Sequence, residues 1–141
     1  YYSRWRKGGK EALLKTPTIS SFAPLLLDID PERAEKLRKN LWKYMFLTPY
    51  LIPTVSPLDD SFSASTWFRA LWTGAIGIPW NWMIHEGLKE QGFEYEAYLV
   101  RESSRKLVER GFFEFYDPIT GEKGRFSAEN FSFCGLVLDM Y

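Results

Sequence analysis

The chain has 141 residues, and its 18 Lys+Arg balance its 18 Asp+Glu, so the formal net charge is zero. This length allows one domain of ordinary size. A balanced charge gives no electrostatic footprint for nucleic acid or anionic lipid, and no apolar run is long enough to span a membrane. The sequence therefore predicts neither a nucleic-acid partner nor a membrane span.

The lone cysteine and the lone histidine limit the kinds of site. Cys134 and His85 are the only residues of their types. A single cysteine excludes an internal disulfide and favours a reducing, cytoplasmic compartment, although the compartment stays open. This pair cannot supply a zinc site, and His85 has no recognisable partner for Ser or Cys catalysis. We therefore predict no metal and no other cofactor.

The start of the chain is predicted to be irregular or extended. Residues 1–20 predict a hairpin-like opening, in which Gly8-Gly9 is a turn signal. Pro17 keeps the preceding residue out of the helical region. Residues 21–28 predict a short buried turn or helix.

Residues 30–46 give the clearest helix signal. Asp30 suits the N-cap and Pro31 the first helical position. Apolar residues recur at spacings of three and four: Ala34, Leu37, Leu41 and Met45. Because this spacing places them on one face, we expect them to be buried. The charged residues of the opposite face are expected to face water: Glu35, Lys36, Arg38 and Lys39.

A long irregular connection follows over residues 47–65, since prolines at 49, 53 and 57 exclude a regular helix. A connection of this length within a compact domain is more often functional than idle. Residues 78–91 then predict a second helix. Pro79 suits its first turn, and Gly92 is a natural stop.

Two more helices are predicted in the last third of the chain. Residues 93–110 form the first, which Gly111 is expected to end. Its apolar face carries Ala97, Val100, Ser104 and Leu107. Residues 129–141 are strongly apolar and predict a fourth, buried helix. Since no stretch alternates with the period of a strand, the chain is predicted to be mainly helical with long loops.

Aromatic residues make up 18% of the chain, and tryptophans are concentrated in residues 67–83. These are Trp67, Trp72, Trp80 and Trp82. Gly74, Gly77 and Pro79 make one continuous helix doubtful. Indoles suit both stacking on sugar rings and core packing, so this segment predicts either an aromatic cleft wall or a packing seam.

Glu114 is an isolated carboxylate among aromatic residues. Phe112 and Phe113 precede it, and Phe115 and Tyr116 follow it, so its surroundings are expected to be apolar. The other acid cluster set in a loop near aromatic residues is Asp59-Asp60, beside Phe62. Glycosidases act with paired carboxylates, one protonating the leaving oxygen while the other activates water or attacks carbon.

Several segments together resemble the C-terminal part of the (α/α)6-barrel glycoside hydrolases, most closely glycoside hydrolase family 63. Residues 21–25 are similar to the family's F-x-P-L, and residues 48–56 to its T-P-Y-G-(V/I)-P-(S/T) loop apart from Leu51. Residues 72–82 resemble W-R-G-P-(I/V)-W-x-x-x-N-W. Residues 114–122 resemble E-x-(Y/F)-(N/D)-P-x-T-G, and residues 130–133 resemble the closing x-F-(S/G)-W. The segments follow the family's order.

The resemblance implies an all-α fold, part of an (α/α)6 barrel built from helical hairpins with long loops. It implies that residues 1–141 are the C-terminal portion of a glycosidase catalytic domain, incomplete on its own. The implied activity is hydrolysis of α-glycosidic bonds in an oligosaccharide or small glycoside by an inverting, two-carboxylate mechanism. The resemblance implies an enzyme of α-glucosidase or α-glycosidase type, related to the processing α-glucosidases.

The resemblance also implies the site residues. Glu114 falls on the general base that activates water, and Trp72 falls on an aromatic residue of the sugar pocket. The expected substrate-binding residues are Trp72, Trp80, Tyr50, Asp59 and Phe133, with Asp59 hydrogen-bonding sugar hydroxyls. The family's general acid, an Asp, lies further upstream than Tyr1. We therefore expect another segment or chain to supply the remainder of the barrel.

The sequence departs from the family pattern at positions that bear on substrate choice. Thr73 stands in place of Arg, Gly77 in place of Trp, and Phe133 in place of Trp. Losing the guanidinium removes fork-like hydrogen bonds to sugar hydroxyls. Two alternatives therefore stay open: a non-catalytic carbohydrate-binding or scaffold module derived from the same fold, and a trehalase-like or glucoamylase-like enzyme.

Overall fold

A computed structural model of the chain describes residues 4–7, 10–13, 15–64 and 70–141. The chain opens with two antiparallel strands, β1 (Arg4–Lys7) and β2 (Lys10–Leu13), in which Arg4 pairs with Leu13. The predicted hairpin-like opening is therefore confirmed. Its expected turn at Gly8-Gly9 lies outside the described residues.

A first 3-10 helix, Ile19–Leu26, follows the hairpin. Its buried residues are spaced by three: Ile19, Phe22 and Leu25. A 3-10 helix has three residues per turn, so this spacing aligns them along one edge. The prediction of a short buried helix is confirmed, although only that edge faces the core and Leu26 is exposed.

Helix α1 spans Pro31–Tyr44 and begins as predicted. The carboxylate of Asp30 accepts a hydrogen bond from the backbone N–H of Arg33 at 3.0 Å, which caps the helix. On the predicted inner face, Ala34, Leu41 and Met45 are buried. The outer face differs from expectation at Arg38, whose guanidinium turns back to pair with the buried Glu96.

Residues 45–64 are irregular, as predicted. Three helices follow: α2 (Ala70–Thr73), α3 (Ile78–Glu90) and α4 (Glu94–Val108). The helical conformation breaks between α2 and α3, which confirms that no continuous helix joins Trp72 to Trp80. Gly92 and Gly111 lie just beyond α3 and α4 with φ of +76° and +140°. A side chain is strained in that region, so glycine permits both stops.

Helices α3 and α4 form a packed helical hairpin at the centre of the molecule. The α3 helix also packs against the first 3-10 helix and against the C-terminal segment. The predicted inner face of α4 is buried throughout: Ala97, Val100, Ser104 and Leu107. None of the helices in the described ranges is long and apolar enough to cross a bilayer.

The C-terminal segment corrects one prediction. It is a second 3-10 helix, Ser132–Met140, rather than a buried α-helix over 129–141. Its buried residues again recur every third position: Cys134, Val137 and Met140. Because a 3-10 helix aligns only every third residue, most of the apolar segment stays at the surface. Phe133 is 56% exposed and Leu138 77% exposed.

Candidate functional site

The segment that carries Glu114 lies between two other parts of the chain and bends at Glu114. Tyr116 exchanges two backbone hydrogen bonds of 2.9 Å with Ile76, which lies just before α3. On the other side, the N–H of Glu114 donates to the carbonyl oxygen of Ala128 at 3.0 Å. The backbone of Glu114 is thus fixed between the start of α3 and the chain that leads to the second 3-10 helix.

Glu114 is half-buried and lines an open pocket of about 230 Å³. The described residues lining this pocket are Gly77, Pro79, Trp80, Glu114, Phe131 and Phe133. Trp80 comes from the first turn of α3, and the rings of Phe131 and Phe133 lie 5.4 Å apart. The pocket therefore combines one carboxylate with a mostly aromatic wall.

The carboxylate of Glu114 has few partners within the part of the chain that the structure describes. Its one hydrogen bond there is a long one, from the N–H of Ala128 to Oε2 at 3.5 Å. None of the ion pairs formed among the described residues includes it. Its lone pairs are therefore available to accept hydrogen bonds from water or a ligand.

Trp72 adjoins the pocket through Trp80. Their rings meet edge to face with centroids 6.4 Å apart, and Trp72 is 65% exposed. The structure therefore places Trp72, Trp80 and Phe133 on the same side of the molecule as Glu114. The other tryptophans of the cluster differ: the indole N–H of Trp82 donates to Asp139 at 2.8 Å, and Trp67 lies outside the described residues.

Tyr50 and Asp59 are not among the residues that line this pocket. The hydroxyl of Tyr50 accepts a hydrogen bond from Arg110 at 2.7 Å, and its ring packs against Gly121. Asp59 accepts hydrogen bonds from the hydroxyl and the N–H of Ser61, which hold the pKa of its carboxyl below the ordinary value. Both side chains are engaged locally, and their predicted contacts with sugar remain predictions.

The aromatic residues next to Glu114 in sequence do not form its pocket wall, contrary to expectation. Phe115 is buried, and Phe113 packs on the ring of Tyr116 with centroids 5.5 Å apart. The aromatic surroundings come instead from Trp80, Phe131 and Phe133, which are distant in sequence.

Sequence reasoning missed part of the site. Phe131 and Pro79 line the pocket, although neither was predicted to contact ligand. Gly77 does so as well, and it allows a close approach: a Cβ there would lie 3.0 Å from Cδ1 of Trp80. No periodicity signals Phe131, because it precedes the second 3-10 helix while Phe133 lies within it.

The environment of His85 is that of a packed core residue. It is buried in α3, and its Nδ1 lies 2.8 Å from a carboxylate oxygen of Glu86. Burial lowers the pKa of the imidazole, although Glu86 opposes that shift. Within residues 15–64 and 70–141, no three His, Cys, Asp or Glu side chains group together as metal ligands.

Comparison with known proteins identifies related sequences. A family model described as the mannosylglycerate hydrolase MGH1-like glycoside hydrolase domain matches residues 2–134. The mannosylglycerate hydrolase of Thermus thermophilus is 33% identical over 94% of this chain and 31% of its own length. MGH2 of Selaginella moellendorffii is 35% identical over 77% of this chain and 22% of its own length. The glucosylglycerate hydrolase of Mycolicibacterium hassiacum is 35% identical over 79% of this chain and 26% of its own length.

Solved structures give the same result. A glycoside hydrolase family 63 mannosylglycerate hydrolase from Thermus thermophilus, in complex with glucose, matches with a TM-score of 0.79 and 30% identity. The match covers 92% of this chain and 30% of that enzyme. The chain therefore spans about a third or less of the length of the relatives that it matches. These neighbours are (α/α)-barrel enzymes, which confirms the predicted helical class and barrel architecture.

Proposed function

The chain belongs to the mannosylglycerate hydrolase MGH1-like glycoside hydrolase family, and we propose that it supplies the general base of an inverting glycoside hydrolase. Glu114 is that base. The observation that carries the proposal is the half-buried carboxylate of Glu114 in an aromatic pocket, without an ion-pair partner among the described residues. A carboxylate neutralised by a cation would be a poor proton acceptor, whereas this one is available.

In the proposed reaction, a water molecule hydrogen-bonds to Glu114 and attacks the anomeric carbon. The bond from that carbon to the leaving-group oxygen breaks while water transfers a proton to Glu114. A second carboxyl group protonates the leaving oxygen, and the configuration at carbon inverts. Among the described lining residues Glu114 is the single carboxylate, so we assign the general acid to another part of the barrel.

The aromatic side chains are proposed to bind the sugar. Trp80 and Phe133 offer flat faces beside Glu114, and Trp72 extends this surface outward. Such faces stack on the apolar side of a pyranose ring. We propose that this chain forms the C-terminal portion of the catalytic domain, with the remainder of the barrel on another segment or chain.

The substrate proposed is a small α-glycoside of glycerate. The relatives are named for hydrolysis of mannosylglycerate and glucosylglycerate, and one homologous structure is a complex with Tris and D-glycerate. This class lies within the expected range of an oligosaccharide or small glycoside, and it is more specific than the expected α-glucosidase or α-glycosidase type. The pocket that Glu114 lines has a volume of about 230 Å³, which is consistent with binding of one sugar ring and a small leaving group.

The test is Glu114→Gln in the complete polypeptide that contains these residues. Gln keeps the shape but cannot accept a proton, so we expect kcat with mannosylglycerate or glucosylglycerate to fall by about 10³-fold with little change in KM. The exposed Glu122→Gln is the matched control and should keep normal turnover. Near-normal kcat in Glu114→Gln would contradict the assignment.

The alternative is a non-catalytic carbohydrate-binding module on the same fold. It is favoured by the departures at Thr73, Gly77 and Phe133. Calorimetry with the two glycosylglycerates, run beside an assay of released sugar, separates the proposals. Binding without release by the unmodified complete polypeptide would favour the module, whereas release that depends on Glu114 favours the hydrolase.

A further inference from the structure

Residues 124–129 form the support on which Glu114 rests. Ala128 contacts Glu114 twice, accepting from its backbone N–H at 3.0 Å and donating to its carboxylate at 3.5 Å. Phe113 and Glu129 form an isolated antiparallel bridge next to this contact. The Ala128 backbone therefore contacts both the main chain and the carboxylate of Glu114.

Ser127 ties this support to the segment that bears Glu114. Its hydroxyl accepts a hydrogen bond from the N–H of Phe115 at 2.9 Å and donates to the carbonyl oxygen of Ala128 at 3.3 Å. Its own N–H donates to the carbonyl of Gly124 at 2.9 Å. The residue is 6% exposed, so bulk water does not replace these bonds.

The backbone N–H of Phe115, next to Glu114, thus has a side-chain hydroxyl as its hydrogen-bond acceptor. The N–H groups of Glu114 and Tyr116 bond to backbone carbonyls, whereas the N–H of Phe115 bonds to the Ser127 hydroxyl. Without that hydroxyl, a buried donor would lose its acceptor and the two segments would shift relative to each other. Such a shift would move the only described hydrogen-bond donor to the Glu114 carboxylate, Ala128, together with the backbone of Glu114.

We propose that Ser127 is a positioning residue for the reaction, and this inference rests on the proposed role of Glu114 as general base. Ser127 is not among the described residues that line the pocket. It holds the Glu114 carboxylate at the place from which the attacking water is oriented, through Phe115 on one segment and Ala128 on the other. Small displacements of a reacting group reduce the rate strongly, while sugar binding by Trp80 and Phe133 is left in place.

The test compares Ser127→Ala with Ser104→Ala in the complete polypeptide. Ser104 is a matched control because its fully buried hydroxyl also makes two hydrogen bonds, donating to the Val100 carbonyl at 2.8 Å and accepting from Asn81 at 3.0 Å. Both changes remove the same atom and should lower the unfolding temperature similarly. We expect kcat of Ser127→Ala to fall about tenfold with KM unchanged within about twofold. Ser104→Ala should keep normal kcat.

A double-mutant comparison separates positioning from a general structural effect. If Ser127 acts through Glu114, adding Ser127→Ala to Glu114→Gln should produce no further loss of residual turnover. Equal losses of kcat in both backgrounds would overturn the inference, as would a kcat for Ser127→Ala equal to that of Ser104→Ala. A normal kcat in Glu114→Gln would overturn both the general-base proposal and the positioning role of Ser127. A reduced kcat in Glu114→Gln together with a normal kcat in Ser127→Ala would overturn only the positioning role.

If Ser127→Ala does not fold, Ser127→Cys gives the same test, since a thiol of similar size is a weaker hydrogen-bond acceptor. Ser104→Cys is then its control. Ser127→Thr keeps the hydroxyl and should restore most of kcat. Failure of Thr to exceed the Ala or Cys variant in kcat would overturn the inference.

Discussion

Two glutamates in this molecule have opposite environments. Glu96, on α4, has a side chain only 6% exposed, and its Oε1 accepts hydrogen bonds from Arg38 at 2.7 Å and from the indole of Trp42 at 2.8 Å. Glu114 is also shielded on one side, yet among the described residues its carboxylate accepts one long hydrogen bond, from a backbone amide. The first carboxylate is neutralised by its partners, whereas no described cation pairs with the second.

The difference in environment indicates that Glu96 contributes to stability, whereas the side chain of Glu114 is available for the proposed reaction. Burial alone would raise the pKa of Glu96, but the hydrogen bonds from Trp42 and Arg38 outweigh that effect and lower it. Such a carboxylate joins α1 to α4 and has little remaining capacity to accept a proton. Glu114 contributes little bonding to the fold beyond its backbone, and for that reason its side chain is available for the proposed reaction.

The comparison predicts a large effect on stability at Glu96. Glu96→Gln keeps the size of the side chain but removes the charge that pairs with Arg38. Because hydrogen bonds to a charged group are stronger than neutral ones, the free energy of unfolding should fall by about 2 kcal/mol. Chemical denaturation of the complete polypeptide, followed by circular dichroism, measures this difference.

The control is Glu109→Gln at the end of the same helix, which weakens a surface ion pair with Arg105. Exposed pairs contribute little, so its effect should stay within about 0.5 kcal/mol. Equal destabilisation by the two variants would remove the distinction between a buried, paired carboxylate and a surface one.

A smaller effect is expected beside Glu114, from Gly77→Ala. The added Cβ would lie 3.0 Å from Cδ1 of Trp80, so the indole must move by a few tenths of an ångström. One extra methyl in such a pocket should raise KM for the glycosylglycerate by about tenfold while changing kcat less. Steady-state kinetics measure both constants.

Gly135→Ala is the matched control for that variant, since a Cβ there would have no neighbour within 4 Å. It should leave KM unchanged. A normal KM in Gly77→Ala would mean that the indole of Trp80 does not contact the sugar, and would weaken the contrast between a structural and a chemical region.

The smallest expected effect is a pH dependence of stability that originates at Glu96. Its pKa in the folded chain is lower than in the unfolded chain, where a glutamate titrates near about 4.3. The stabilisation is therefore fully present above that value and is lost as the pH falls through the folded-state pKa. The difference in unfolding free energy between the native chain and Glu96→Gln should be constant from about pH 6 to 7 and should shrink below about pH 4. A difference that grows on acidification would contradict this sign.

Local signals predicted the helices well. The capping carboxylate of Asp30 and the stops at Gly92 and Gly111 depend on residues adjacent in sequence, and each lies where it was predicted. The C-terminal segment was predicted less well. Its apolar content indicated burial, but the three-residue spacing of Cys134, Val137 and Met140 identifies the 3-10 geometry that leaves the remainder exposed.

The candidate site was predictable only in part. Resemblance to a family brought Glu114, Trp80 and Phe133 together, and the structure places them around one pocket. It also suggested Tyr50 and Asp59, which lie outside the described lining of that pocket and hydrogen-bond with Arg110 and Ser61. Their contacts with sugar stay predictions. Those hydrogen bonds, like the support of Glu114 by Ser127 and Ala128, join distant or irregular segments, and no sequence periodicity encodes them.

The proposed contrast is that Glu96 serves the fold and Glu114 serves the chemistry. Measuring kcat and the free energy of unfolding for Glu96→Gln and Glu114→Gln in the complete polypeptide tests it most directly. We expect a crossed result: Glu114→Gln loses about 10³-fold in kcat with stability nearly unchanged, while Glu96→Gln loses about 2 kcal/mol of stability with kcat nearly unchanged. Normal turnover in Glu114→Gln, or parallel losses of activity and stability in both variants, would contradict it.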